Sequence, residues 1–179
     1  MSPASERLVV RVAKPDEWIA VGELAYDAYR AGGHQGAGSS EYLDAVRDAA
    51  GRADSGILLV AVRGEGLVGT VTMCPPDSPE AELCRADEVE FRYLAVAPKA
   101  WGSGVATALV HGVVDRARRA GAHRLVCCVI DWNVQAHRLY VGHGFSRAPS
   151  RDWKPNSEVD LLAYELDLTS QADRRSPGG

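Results

Sequence analysis

A chain of 179 residues with 46% hydrophobic and 25% charged side chains has the length of one compact domain and the makeup of a globular protein, which excludes a fibrous or largely disordered one. The net charge of −4 argues against a protein that coats nucleic acid, because phosphate neutralisation needs clustered Lys and Arg. Apolar runs no longer than six residues (57–62 and 125–130) fall far below the roughly 18 that cross a bilayer, and MSPASERLVVRV lacks the layout of a secretory signal, so the chain is expected in the cytoplasm and off the membrane.

Leu8 to Ala13 reads as a short β-branched strand ended by Lys14-Pro15. Asp16 can then cap a helix running to about Ala31, with Trp18, Val21, Leu24, Ala25 and Ala28 as its apolar stripe. Ala31 to Ser40 carries four glycines and predicts a mobile loop of the kind that borders sites; its His34 reads as loop surface, with a functional role as the alternative. A second helix comes next, Glu41 to Ala50. Ile57 to Arg63 and Leu67 to Cys74, joined by Gly64-Glu65-Gly66, suit an antiparallel hairpin, and the Pro/Ser/acidic stretch Pro75 to Asp87 loops out.

Val89 to Val96 is a strand in which Val89, Phe91, Tyr93 and Ala95 alternate with Glu90, Arg92, Leu94 and Val96. From Gly104 to Ala120 the apolar residues Val105, Leu109, Val113 and Ala117 recur every four, an amphipathic helix that Gly121 ends. Arg124 to Ile130 is a buried strand, so the strand-helix-strand unit predicts a parallel crossover in one sheet. Asn133 can cap a last helix, Val134 to His143, closed by Gly144. Extended pieces come after it near Phe145 and at Leu161 to Leu168, and Thr169 to Gly179 reads as a solvated tail. Cys74, Cys84, Cys127 and Cys128 show no CxxC spacing, and adjacent strand residues face opposite ways, so they read as core-filling thiols and no metal is expected.

The segment that carries chemistry is Val96-Ala97-Pro98-Lys99-Ala100-Trp101-Gly102-Ser103-Gly104-Val105-Ala106, a strand end passing through a glycine turn into a helix N-terminus. The first turn of a helix offers amide N–H groups with no internal partner, and glycine lets an anion approach the backbone. The donors would be Gly102, Ser103, Gly104, Val105 and Ala106. A Walker loop is excluded because no GxxxxGK followed by Ser or Thr occurs. The dinucleotide fingerprint GxGxxG fails at its third glycine, where Thr107 stands.

Trp101-Gly102-Ser103-Gly104-Val105-Ala106 resembles the pyrophosphate turn of the GNAT superfamily of acetyl-CoA-dependent N-acetyltransferases: Gln or Arg, two residues, Gly, one residue, then Gly or Ala. EFRYLAVAP before it is similar to that family's fourth strand, and Asn133, Ala136, Leu139-Tyr140 and Gly144-Phe145 resemble its second motif. The order of elements matches over roughly residues 7 to 168. Trp101 departs from the pattern, which touches only that side-chain contact.

The resemblance implies an α/β (α+β) fold: a mixed, mostly antiparallel sheet splayed between its fourth and fifth strands, with helices on both faces and acetyl-CoA in the splay. Residues 1–168 would form one domain and 169–179 a flexible tail. It implies direct transfer of an acetyl group to a primary amine in a ternary complex, on a small molecule or a protein amino group. Tyr140 falls where the family's thiolate-protonating tyrosine lies; the competing role is a core aromatic with a local hydrogen bond. Glu90 falls where many members carry a carboxylate base, the competing role being a surface pair with Arg92, and Glu88 and Asp87 are alternates. Backbone N–H groups of Leu94, Ala95 and Val96 would face pantetheine and the thioester, and Asn133 would contact the cofactor or cap its helix. Arg116, Arg118 and Arg119 are read as complements of the helix dipole rather than as a phosphate clamp, and Arg138 as a residue beside the CoA path or in solvent. A homodimer is the expected assembly if exposed strand edges pair, and a non-catalytic acyl-CoA-binding or sensing module is the rival function.

Overall fold

Eight strands form one sheet in the structure, a computed structural model that describes residues 6–34 and 40–169. Half of the predicted glycine loop (35–39) and nearly all of the predicted tail lie outside the described residues. The strands are β1 (Leu8–Val12), β2 (Ile57–Arg63), β3 (Gly66–Cys74), β4 (Glu88–Val96), β5 (Arg124–Ile130), β6 (Ser146–Arg147), β7 (Trp153–Asn156) and β8 (Val159–Asp167). Their order is β1-β2-β3-β4-β5-β8-β6, with β7 also on β8. Helices α1 (Trp18–Ala31), α2 (Ser40–Arg47) and α3 (Ala49–Ser55) precede β2, α4 (Val105–Arg119) joins β4 to β5, and α5 (Val134–Gly142) comes after β5.

The strand-helix-strand unit gives the expected result: β4 and β5 are parallel, whereas the neighbouring pairs around them are antiparallel. Their ladder is short, running through Glu88↔Arg124, Val89↔Leu125 and Glu90↔Val126. Beyond it β4 keeps only β3, as far as Val96↔Gly69, and β5 keeps only β8, as far as Ile130↔Leu161. The sheet therefore splits from Phe91 onward, and the β4 backbone edge facing β5 is left without a strand partner.

Helices cover both faces. On one, Leu59, Ala61, Val71 and Phe91 pack with Val105, Leu109 and Val113 of α4 and Tyr140 of α5. On the other, Leu58 and Val60 meet Val21 and Ala49, while Tyr93 and Ala95 meet Ala25, Ala28 and Val46. Gly69 of β3 lets α4 settle this close: a Cβ there would stand 2.8 Å from Val105 and 3.0 Å from Leu109.

Strict alternation along β4 does not survive. Tyr93 adopts φ 56°, a left-handed conformation, and the β3–β4 register shifts between Thr70 and Thr72. This bulge puts one extra residue into β4 and reverses the parity of the strand from there on. Val89 and Phe91 face α4, but Tyr93 and Ala95 face α1, together with Glu90 and Arg92.

Three further expectations change. The single helix over 41–50 is two, because Asp48 leaves helical geometry and its carboxylate accepts from Gly51 N (2.9 Å), capping α3. Asp16 does not cap α1; Pro15–Glu17 form a 3-10 turn in which Glu17 accepts from Lys14 N (2.8 Å) and pairs with Arg11 (2.6 Å). Between the extended pieces expected near Phe145 and at Leu161 to Leu168 the chain forms a further strand, β7, paired with β8.

Candidate active site

The split between β4 and β5 opens a cleft of about 1160 Å³ that passes from one face of the sheet to the other. Its first half lies between the glycine turn, the free edge of β4 and α5. Of the residues named from the sequence, Leu94, Ala95, Val96, Trp101, Gly102, Gly104, Val105, Ala106, Asn133 and Tyr140 line the cleft. Its second half lies on the α1–α2 face, where Glu90, Arg92 and Tyr93 project from β4.

Gly102 and Gly104 hold φ +72° and +82°, which turn the chain sharply enough to start α4 at the cleft mouth. Among the described residues no side chain caps α4, whose N-cap is Gly104, so its first amides keep their donor capacity and the positive end of its dipole faces the cleft. Ser103 is the exception among the predicted donors. It stands off the cleft wall, its hydroxyl donating to Ala100 O (2.6 Å) while Arg63 donates to Ser103 Oγ (3.1 Å) and O (3.0 Å). Trp101, half exposed, donates its indole N–H to Val96 O (2.8 Å), bracing the end of the free β4 edge.

Across the cleft, Asn133 caps α5 by accepting from Ala136 N (3.1 Å), so the capping role is present in the same residue that lines the site. Tyr140 sits two turns later, 4% exposed and packed against Phe91, Phe145 and Tyr164 at centroid distances of 5.5, 5.6 and 6.1 Å. Its hydroxyl has no hydrogen-bond partner among the described residues, which leaves the competing local hydrogen bond without support. Burial raises its pKa well above the usual tyrosine range, so the group stays a protonated donor at neutral pH.

Glu90 is 1% exposed and forms no surface pair with Arg92. Its Oε2 accepts from three consecutive amides, Glu82 N (2.8 Å), Leu83 N (2.8 Å) and Cys84 N (3.2 Å), which folds the acidic loop down over β4. Its Oε1 is buried in the cleft wall and has no partner among the described residues. Arg92 instead reaches Glu82 (2.8 Å), Glu80 (3.6 Å) and Glu80 O (2.7 Å).

The alternates are committed elsewhere. Glu88, 2% exposed, is held by Arg151 (2.6 Å); burial pushes its carboxyl up, but the Arg151 hydrogen bond, the Arg85 amide and their charges outweigh that and leave it below the usual range. Asp87 is exposed and pairs with His123 (3.4 Å). Arg116 and Arg119 bond back to Gly112 O and Asp115 O at the end of α4, as the dipole reading expects, and Arg138 is exposed off the cleft wall. Cys127 points into the core while its neighbour Cys128 lines the cleft.

The aromatic belt and the place of Arg63 escape the sequence, which raised a functional role for His34 only as the alternative to loop surface. His34 is a wall residue: its ring lies 4.7 Å from Tyr29 and 4.9 Å from Trp132, its Nδ1 is 3.2 Å from Tyr29 O, and burial lowers its pKa. Tyr42 continues the series to Tyr29 (6.0 Å) and Tyr93 (6.3 Å), so one belt of rings drawn from α1, α2, β4 and the end of β5 lines the second half. Arg63, at the end of β2, ties the glycine turn to the hairpin, and only its position as the last residue of a strand could have drawn attention to it.

The profile of the Acetyltransferase (GNAT) family matches residues 18–145, well over half of the chain. A curated relative, N-acetyltransferase 8B of Rattus norvegicus, is 33% identical over 99 residues; that stretch is 53% of this chain and 43% of the relative, so the chain matches less than half of that protein's length. Among solved structures, an N-acetyltransferase from Staphylococcus aureus Mu50 has a TM-score of 0.65 at 19% identity, covering 90% of this chain and 99% of that one. The yncA protein of Salmonella typhimurium, solved with its cofactor acetyl-CoA, has a TM-score of 0.64 at 22% identity, covering 90% of this chain and 94% of that one. These likenesses show a common fold, and because the family profile matches across both motifs the chain belongs to the GNAT acetyltransferase family.

Proposed function

We propose that the chain transfers an acetyl group from acetyl-CoA to a primary amine by direct attack in a ternary complex. The observation that carries this reading is a single cleft that joins an uncapped helix N-terminus to a tyrosine hydroxyl and a carboxylate oxygen, both without partners among the described residues. The amides of Gly102, Gly104, Val105 and Ala106 hold the pyrophosphate, and the free β4 edge from Leu94 to Val96 orients pantetheine and polarises the thioester carbonyl. Glu90 Oε1 takes a proton from the ammonium, directly or through water. As the N–C bond forms and the C–S bond breaks, Tyr140 gives its proton to the departing sulfur, and the second proton lost by the nitrogen, relayed through water, restores the tyrosine hydroxyl. Binding of acetyl-CoA by yncA supports the co-substrate assignment.

Acetyl-CoA at a hundredfold excess over its Kd should stabilise the fold by about 2.7 kcal/mol, a rise of about 5–10 °C in melting temperature for a chain of this size. NAD and ATP should give none. A shift with either of them and none with CoA species would remove the assignment, and release of free CoA with an amine tests the transfer itself.

Gly104→Glu should weaken CoA binding at least about tenfold relative to Gly104→Ala. Both side chains enter open space and both carry the strain of φ +82°, so the difference isolates the repulsion between a carboxylate and the pyrophosphate. Equal affinities by calorimetry would show that the turn does not hold the anion.

A further inference from the structure

The second half of the cleft differs in character from the half that holds the anion-binding turn. Three carboxylates line it, Glu41, Glu82 and Glu90, against one guanidinium, Arg92. That guanidinium is already engaged by Glu82, Glu80 and the Glu80 carbonyl. Arg52, the next cation inward, lies behind the wall and not in it: it is buried under the Tyr93 ring, donates to Thr72 Oγ1 (3.0 Å) and Val46 O (2.8 Å), and its remaining donor, Nε, is buried there as well. Lowered by burial, the His34 pKa leaves that ring neutral at neutral pH. Residues 35–39, outside the described residues, contain no Lys, Arg, Asp or Glu.

This wall has no uncommitted cation among the described residues to receive an anionic substituent, and Glu90 Oε1 is a buried acceptor without a donor. A carboxylate brought here would lose its water and gain no partner, whereas an ammonium would supply the missing donor. Beside Glu90, the belt from Tyr93 through Tyr42, Tyr29 and His34 to Trp132 offers flat apolar surface, and Trp132 at its outer end is 43% exposed.

Resting on the transferase reading, we infer that the acceptor is an arylalkylammonium: a small primary amine with an aromatic body and no carboxylate. Its ammonium sits at Glu90 Oε1 and its ring lies along the belt toward Trp132. Ring stacking and the attraction between the ammonium and the ring faces then select the body, and the negative wall selects the charge.

The test measures free-CoA release by the full chain with 2-phenylethylamine, L-phenylalanine, n-butylamine, spermidine and an N-terminally free dipeptide. The expected result is kcat/KM for 2-phenylethylamine at least about tenfold above L-phenylalanine, which differs by the carboxylate alone. Trp132→Ala, an exposed position, should cut the preference for 2-phenylethylamine over n-butylamine about five- to tenfold, mostly through KM. Preference for L-phenylalanine, the dipeptide or spermidine, or an unchanged preference in Trp132→Ala, overturns this inference and leaves the transferase reading standing. Bound acetyl-CoA with no CoA release for any amine overturns the transferase reading and this inference with it.

Discussion

Glu90→Gln should lower the acetylation rate about 10²- to 10⁴-fold at neutral pH and recover part of it toward alkaline pH. An amine acceptor with an unperturbed pKa near 10.4 arrives protonated, and the substitution removes the group that would take its proton. Raising the pH supplies the neutral amine from solution, so the dependence on the missing base shrinks. The structure makes this variant informative because the amide oxygen of Gln can still accept from Glu82 N, Leu83 N and Cys84 N. Those bonds weaken with loss of the charge, so a lower melting temperature is expected, but the loop keeps its anchor. A purely structural Glu90 gives a different signature: rates that track the folded fraction at every pH. If the pH profile of Glu90→Gln matched the native one after correction for folded protein, the proton acceptor would have to be a water chain or another group.

What the sequence reveals, and what it hides, divides by the range of the interactions involved. The glycine turn, α4 and the hairpin of β2 and β3 were legible because positive φ, a four-residue apolar repeat and a short glycine-bearing connection are local requirements. The parity of β4 was not, because its bulge sits at Tyr93, a residue type that carries no local signal for left-handed backbone. With parity reversed there, alternation alone sends Tyr93 and Ala95 to the wrong face. Glu90 was found through the resemblance, yet its setting depends on a loop eight residues upstream folding back onto it, which periodicity cannot show. The aromatic belt is hidden for the same reason: it joins α1, α2, β4 and the end of β5, and its members meet only after the sheet has split.

Tyr140→Phe should lower kcat by about 10²- to 10⁴-fold while acetyl-CoA affinity and melting temperature stay close to those of the native chain. The phenyl ring keeps its contacts with Phe91, Phe145 and Tyr164. Only the hydroxyl is lost, and it has no partner among the described residues, so no internal hydrogen bond goes with it. A tyrosine that used its hydroxyl structurally would instead melt lower by about 0.5–1.5 kcal/mol and turn over normally once folded. The proton matters mainly as negative charge develops on sulfur, so the loss should fall on kcat and kcat/KM together. Because burial holds the Tyr140 pKa well above the usual range, the native enzyme should show no loss of activity from this residue's ionisation between neutral and moderately alkaline pH. Measuring melting temperature, CoA affinity and kcat on one preparation separates the two roles. Normal kcat at saturating acetyl-CoA and amine would take Tyr140 out of the chemistry and leave the sulfur to be protonated by solvent.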